Sequence, residues 1–144
     1  MSAEDSDWEN PPQSEIERIL KNCRRIAVVG LSSKPSRPSN GVAAYLLKQG
    51  FQIIPVNPNE TEALNLRAVR DLSSIEGKID LVNVFRSSKH TLLVVEEVIK
   101  IGVPVVWLQE GVISIEAYRK AKSAGVTIIM DRCILKEHSH LRSR

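Results

Sequence analysis

Cysteine is scarce in this chain of 144 residues, with only Cys23 and Cys133 present. They form no CxxC pair and no Cys/His ligand spacing, so a metal site is not expected. The first residues, Met1 to Trp8, are acidic and carry no apolar stretch, so no secretory signal is expected. Two thiols without such a signal point to a reducing cytoplasm. Aromatic residues make up 4% of the chain, which argues against base-stacking or sugar-stacking platforms. No apolar run approaches the roughly 20 residues of a membrane helix. There is also no Lys/Arg run and no nucleic-acid motif, although the net charge is +3 and the pI about 9.0.

What charge there is divides by position. Glu4, Asp5, Asp7, Glu9, Glu15 and Glu17 precede the first basic residue, whereas Arg132, Lys136, Arg142 and Arg144 dominate the other end. The expected organisation is a flexible acidic arm over residues 1–13 and a single domain over residues 14–144. Ser14 and Glu17 have the spacing of an N-capping box ahead of Ile16, Ile19 and Leu20, which predicts a short first helix ending near Cys23.

Beyond that helix, two periods alternate. Ile26-Ala-Val-Val29, Phe51-Gln-Ile-Ile-Pro-Val56, Leu81-Val-Asn-Val-Phe85, Val103-Pro-Val-Val-Trp-Leu108 and Val126-Thr-Ile-Ile129 are short apolar runs. Such runs suit strands buried on both faces. Between them, Val42, Ala43, Leu46 and Leu47 recur at helical spacing, with Ser39 or Asn40 as N-cap. Leu92, Val95, Val98 and Ile99 recur in the same way, as do Ala117, Ala121 and Ala124. Strand–helix alternation predicts an α/β fold: a doubly wound, Rossmann-like five-stranded parallel sheet with helices on both faces. Residues 59–76, with Leu64, Leu66 and Leu72, fit either a helix or an irregular crossover.

In such a sheet, ligands bind beyond the carboxyl ends of the strands. The first strand is followed by Gly30-Leu-Ser-Ser-Lys-Pro-Ser-Arg-Pro-Ser39, which matches only the first glycine of a dinucleotide fingerprint. Ser32, Ser33, Lys34, Arg37 and Ser39 bring hydroxyls and cations to a helix N-terminus, a favourable setting for an anion. The same loop also fits a plain polar connection with a capping serine. After the second strand stands Asn57-Pro58, with no carboxylate for a ribose diol. Glu60 lies beyond the proline. That disfavours NAD and leaves room for a phosphorylated ribose. Arg86, after the third strand, meets either an anion or only its own loop. Asp131-Arg132 reads as a structural salt link, and His138 and His140 as solvated. No nucleophile–base set, paired catalytic carboxylates or Walker lysine is identified, so a binding domain is expected before an enzyme.

Taken in order, Ala27-Val-Val-Gly-Leu-Ser-Ser-Lys-Pro-Ser-Arg-Pro-Ser39, Val42-Ala-Ala-Tyr-Leu46, Ile54-Pro-Val-Asn-Pro58, Val84-Phe-Arg86, Val106-Trp-Leu-Gln109 and Met130-Asp-Arg-Cys133 resemble the CoA-binding protein family. These are small stand-alone Rossmann-like proteins, similar to the CoA-binding domain of the succinyl-CoA synthetase alpha subunit. The resemblance spans roughly residues 15–142. It implies coenzyme A as cofactor, with Gly30, Ser32, Ser33, Lys34 and Arg37 facing the phosphates, Asn57 and Pro58 near the adenosine, and Phe85 and Arg86 bordering the other end. The chain departs from the family at Asn65, where glycine is usual, at Val69-Arg-Asp-Leu72, at Asn83, where aspartate is usual, and at Lys89. Asn65 still tolerates the left-handed conformation a turn needs.

The resulting expectation is a cytoplasmic protein that binds coenzyme A or an acyl-CoA as a carrier, sensor or regulatory module, without its own catalysis. A protein partner belongs to that reading; nucleic acid and membrane do not, and the oligomeric state stays open. The alternatives are an NADP-dependent oxidoreductase, or a CoA-linked thiol enzyme using Cys133, whose pKa Arg132 would lower.

Overall fold

The computed structural model describes residues 7–143. Helix α1 (Gln13–Asn22) leads into strand β1 (Arg25–Val29), followed by α2 (Pro38–Lys48) and β2 (Gln52–Val56). A small antiparallel pair, β3 (Glu62–Ala63) and β4 (Leu66–Arg67), and a 3-10 turn over Leu72–Ser74 lead to β5 (Leu81–Val84). Then come α3 (Ser88–Ile101), β6 (Val105–Leu108), α4 (Ile115–Ser123), β7 (Thr127–Ile129) and α5 (Ile134–Arg142).

Five strands make one parallel sheet in the order β2-β1-β5-β6-β7, the doubly wound architecture expected. Successive strand residues point to opposite faces, so each strand feeds two cores. Ile26, Val28, Leu81 and Trp107 pack with Ile16, Leu20, Val42, Leu46 and Ile134 from α1, α2 and α5. Ala27, Val29, Val82 and Val106 pack on the other face with Val95, Val98, Ala117 and Ala121 from α3 and α4. Burial on both faces explains why the strands read as continuous apolar runs. Pro55 is tolerated because β2 lies at the sheet edge, where a missing amide breaks no central ladder.

From β1 the chain winds through α2 on one face to β2. From β5 it winds through α3 on the opposite face to β6. The two crossovers part between β1 and β5, and a cleft opens there beyond the strand ends.

Local differences from the sequence reading have physical causes. The Ser14 capping box does not form: α1 starts at Gln13, and Pro12 occupies the cap position without a side-chain cap bond. The Pro12 carbonyl takes the amides of Glu15 and Ile16 at 2.9 and 3.1 Å instead. Helix α2 likewise starts earlier than a Ser39 or Asn40 cap implies, because Pro38 fits the first helical turn with its fixed φ. Residues 59–76 form the irregular crossover, built on a two-residue β3–β4 hairpin in which Leu64 and Asn65 have φ of 55° and 61°. Two positive φ angles are what a primed hairpin turn requires, and Asn65 supplies one at little cost. The carboxyl end forms helix α5, in which Ile134 is fully buried, with Leu135 and Leu141 packed beside it. His138 is accordingly half-buried rather than free in solvent. Its Nδ1 lies 2.8 Å from the Tyr45 hydroxyl, and its ring meets Tyr45 and Phe51 edge-on.

Of the expected arm, residues 1–6 lie outside the described residues. Residues 7–12 carry no helix or strand and run against the domain, with Trp8 edge-on to Tyr118. The Asn10 side chain donates to the Met130 carbonyl at 2.9 Å and accepts from the Met130 amide at 2.8 Å. It thus satisfies backbone groups just past β7, as a neighbouring strand would. No helix among the described residues is long and apolar enough to cross a membrane.

Candidate functional site

The cleft between β1 and β5 has a volume of about 910 Å³, large enough for a nucleotide-sized ligand. Its first wall is the loop after β1. Gly30 leaves the strand at φ +87°, and a Cβ there would lie 2.5 Å from the Phe85 carbonyl oxygen. Only glycine allows this close approach of the β1 and β5 ends.

The rest of the loop is shaped by its own polar groups. Ser39 Oγ accepts from the Ser32 amide at 3.0 Å, and Asn40 Nδ2 donates to the Ser32 carbonyl at 2.9 Å. Ser32 Oγ in turn accepts from the Lys34 amide at 3.1 Å. Ser39 is only 4% exposed, so its first task is to hold the loop. The loop is also pinned to the turn after β2, since Asn57 Nδ2 donates to the Leu31 carbonyl at 3.0 Å.

Nine residues singled out in the sequence line this one cleft: Gly30, Ser32, Ser33, Lys34, Arg37, Ser39, Asn57, Phe85 and Arg86. Pro58 is not among its lining residues. Lys34, Arg37 and Arg86 take part in no salt bridge among the described residues, whereas Glu110 is paired with Lys136 at 3.0 Å. The amino end of α2, at Pro38 and Ser39, opens onto the same space, and Ser87, the N-cap residue of α3, lines it too. Helix amino ends and cations outside any salt bridge among the described residues together favour a polyanion.

Glu60 was set aside in the sequence because it follows a proline, yet it lines the cleft. Asn57 Oδ1 accepts from the Asn59 amide at 2.9 Å, and the Glu60 amide reaches the Asn57 carbonyl at 3.3 Å. That tight turn swings Glu60 back over the first loop, where its carboxylate accepts from the amide and hydroxyl of Ser33. Gln109, Glu110 and Val112, at the end of β6, also line the cleft. The available signal was their position after a parallel strand. Gln109 Oε1 is buried and has no hydrogen-bond partner among the described residues, so the far wall offers an unused acceptor.

One sequence expectation about charge turns out otherwise. Asp131 is no partner of Arg132: Asp131 Oδ1 accepts from the Gly111 amide at 2.7 Å, and the Arg132 carbonyl accepts from Trp107 Nε1 at 2.9 Å. Asn83, one of the departures from the family pattern, is fully buried and donates to the Trp107 carbonyl at 3.3 Å. An ionised aspartate cannot donate that bond and would be costly to bury here. Cys133 is 8% exposed, stands at the N-cap position of α5 and is not among the residues lining the cleft. Among the described residues, no cluster of His, Cys, Asp and Glu is arranged to hold a metal.

Comparison with known proteins agrees with this architecture. The chain is 47% identical over 131 residues to YneT of Bacillus subtilis (strain 168), an uncharacterized protein, covering 91% of this chain and 97% of that one. A hypothetical protein from Pyrococcus horikoshii OT3 superposes with a TM-score of 0.88 at 38% identity, covering 94% of this chain and 99% of the other. A dinucleotide-forming acetyl-coenzyme A synthetase from Ca. Korarchaeum cryptofilum matches at 28% identity and a TM-score of 0.69. There 78% of this chain corresponds to 26% of the synthetase. Residues 24–139 match the CoA binding domain family, and with that span the chain belongs to it.

Proposed function

We propose that the cleft binds coenzyme A or an acyl-CoA, and that the protein serves as a carrier, sensor or regulatory module without catalysis of its own. The observation that carries this reading is the cluster of Lys34, Arg37 and Arg86, with no salt-bridge partner among the described residues, around a cleft lying at the strand switch point. Coenzyme A brings a diphosphate and a 3′-phosphate, the charge that Lys34 and Arg37 of this cluster would neutralise. In this reading Ser32, Ser33, Lys34 and Arg37 receive the phosphates, with Gly30 and Ser39 shaping their loop. Asn57 lies by the adenosine, Pro58 stays outside the cleft lining, and Phe85 and Arg86 border the other end of the ligand, the pantetheine arm. The buried Gln109 oxygen is placed to accept from an amide of that arm.

Absence of catalysis is proposed on similar grounds. Cys133 is enclosed and away from the cleft, and Cys23 is pushed up to about 12 by burial, then by Asp80. The synthetase match concerns about a quarter of that enzyme. A protein partner would then read the bound state, and two free, buried thiols suit the cytoplasm.

The test is the double variant Lys34→Ala/Arg37→Ala, titrated with CoA by calorimetry. Each cation–phosphate contact contributes roughly 1–2 kcal/mol, so affinity should fall by about 30-fold or more, with unchanged thermal stability. Unaltered affinity would show that the site is wrong.

A further inference from the structure

Glu60 sits where a ligand anion is expected. Its two carboxylate oxygens engage Ser33, one taking the amide and the other the hydroxyl at 2.9 Å. A phosphate entering this loop would seek the same two donors. We propose that Glu60 is a placeholder anion that occupies the phosphate donors of the cleft until a phosphorylated ligand displaces it. The inference rests on the reading of the cleft as a phosphate site, and adds an internal competitor to it.

Placement of Glu60 does not depend on its carboxylate. The Asn57–Asn59 turn carries it, and Asn57 is anchored separately to the Leu31 carbonyl. The side chain can therefore leave Ser33 without unravelling the loop. The carboxyl is held below the usual carboxylate range by the Ser33 amide first, then by the Ser33 hydroxyl, with Lys34 adding its charge. At neutral pH the placeholder is thus ionised and bound. Lys34 is drawn on twice, by Glu60 now and by a phosphate when one arrives.

The consequence is a uniform penalty on every ligand that needs the Ser33 donors, because only the fraction of molecules with Glu60 displaced is competent. Ligands that bind elsewhere in the cleft escape it. The site therefore favours polyanions, a diphosphate above all, whose additional contacts with Lys34 and Arg37 outweigh the exchange.

Glu60→Gln keeps the shape and removes the charge. Both proteins would be titrated with inorganic pyrophosphate and with CoA at one salt concentration. The expected result is about three- to tenfold tighter binding of both ligands by the variant, the scale of an exposed charged contact. A second measurement needs no variant: carbon-13 NMR of the Glu60 carboxyl should show its titration moving to higher pH when pyrophosphate saturates the protein. Equal or weaker pyrophosphate binding by Glu60→Gln, or failure of both proteins to bind it, would overturn the placeholder. Tighter pyrophosphate binding with no CoA binding by either protein would support the placeholder and refute CoA as the ligand.

Discussion

Gly30 shows how one residue connects the fold to the site. Its positive φ and the 2.5 Å approach of the Phe85 carbonyl leave no room for a side chain. Gly30→Ala should destabilise the protein by about 1–3 kcal/mol, from left-handed strain and displacement of the β5 end. Urea unfolding measures this directly. CoA affinity should fall as well, since the same shift moves Arg86. Gly30 was legible in the sequence because a glycine after a buried strand is a strong sign of a strand-end loop. Glu60 was not legible, because its position depends on the side-chain bonds of Asn57, which no periodicity reports.

His138 carries a second consequence at this scale. Burial first, and Arg142 second, hold its ring below the usual value of 6.5. The folded state therefore favours the neutral imidazole, whereas the unfolded chain takes up a proton as pH falls through 6.5. Stability contributed by this group is complete above that pH and is lost progressively below it. The melting temperature should fall between pH 7 and pH 5.5 in the natural protein, and fall less in His138→Gln, which can still bond to Tyr45. An equal fall in both proteins would remove His138 as the cause.

At the scale of elements, the strands and the four helices with a clear apolar stripe were legible, since burial and pairing follow the apolar pattern. The β3–β4 hairpin was not, because two strands of two residues each carry no period to detect. Helix α5 was missed for a different reason: its polar and basic residues masked the row formed by Ile134, Leu135, His138 and Leu141. The segment before α1 shows how an element can be held without regular structure. Asn10 bonds both the amide and the carbonyl of Met130, beside the edge strand β7. Asn10→Ala leaves two partly buried backbone groups without those partners and should cost about 1–3 kcal/mol. Hydrogen exchange should then quicken at Met130, with the β1–β5 cleft unaffected.

For the whole molecule, sheet order decides where function resides. With β1 and β5 adjacent and their crossovers on opposite faces, the Gly30 loop, the Asn57 turn and the Phe85-Arg86 segment converge, although they are separated by tens of residues. This convergence was legible because right-handed crossovers leave few ways to arrange five alternating strands. The contributions of Gln109 and Glu110 were less so, because no motif marks them among the residues that follow a strand. The net charge of +3 is modest, so the proposed attraction for a polyanion rests on local placement of Lys34 and Arg37 rather than on the overall field.

The most direct test of that claim is calorimetric titration of ligand-stripped protein with CoA, dephospho-CoA and NADP at one salt concentration. The account predicts saturable binding of CoA that weakens by about tenfold when the 3′-phosphate is absent, the effect of losing one charged contact. A preference for NADP, or no binding of CoA, would contradict it.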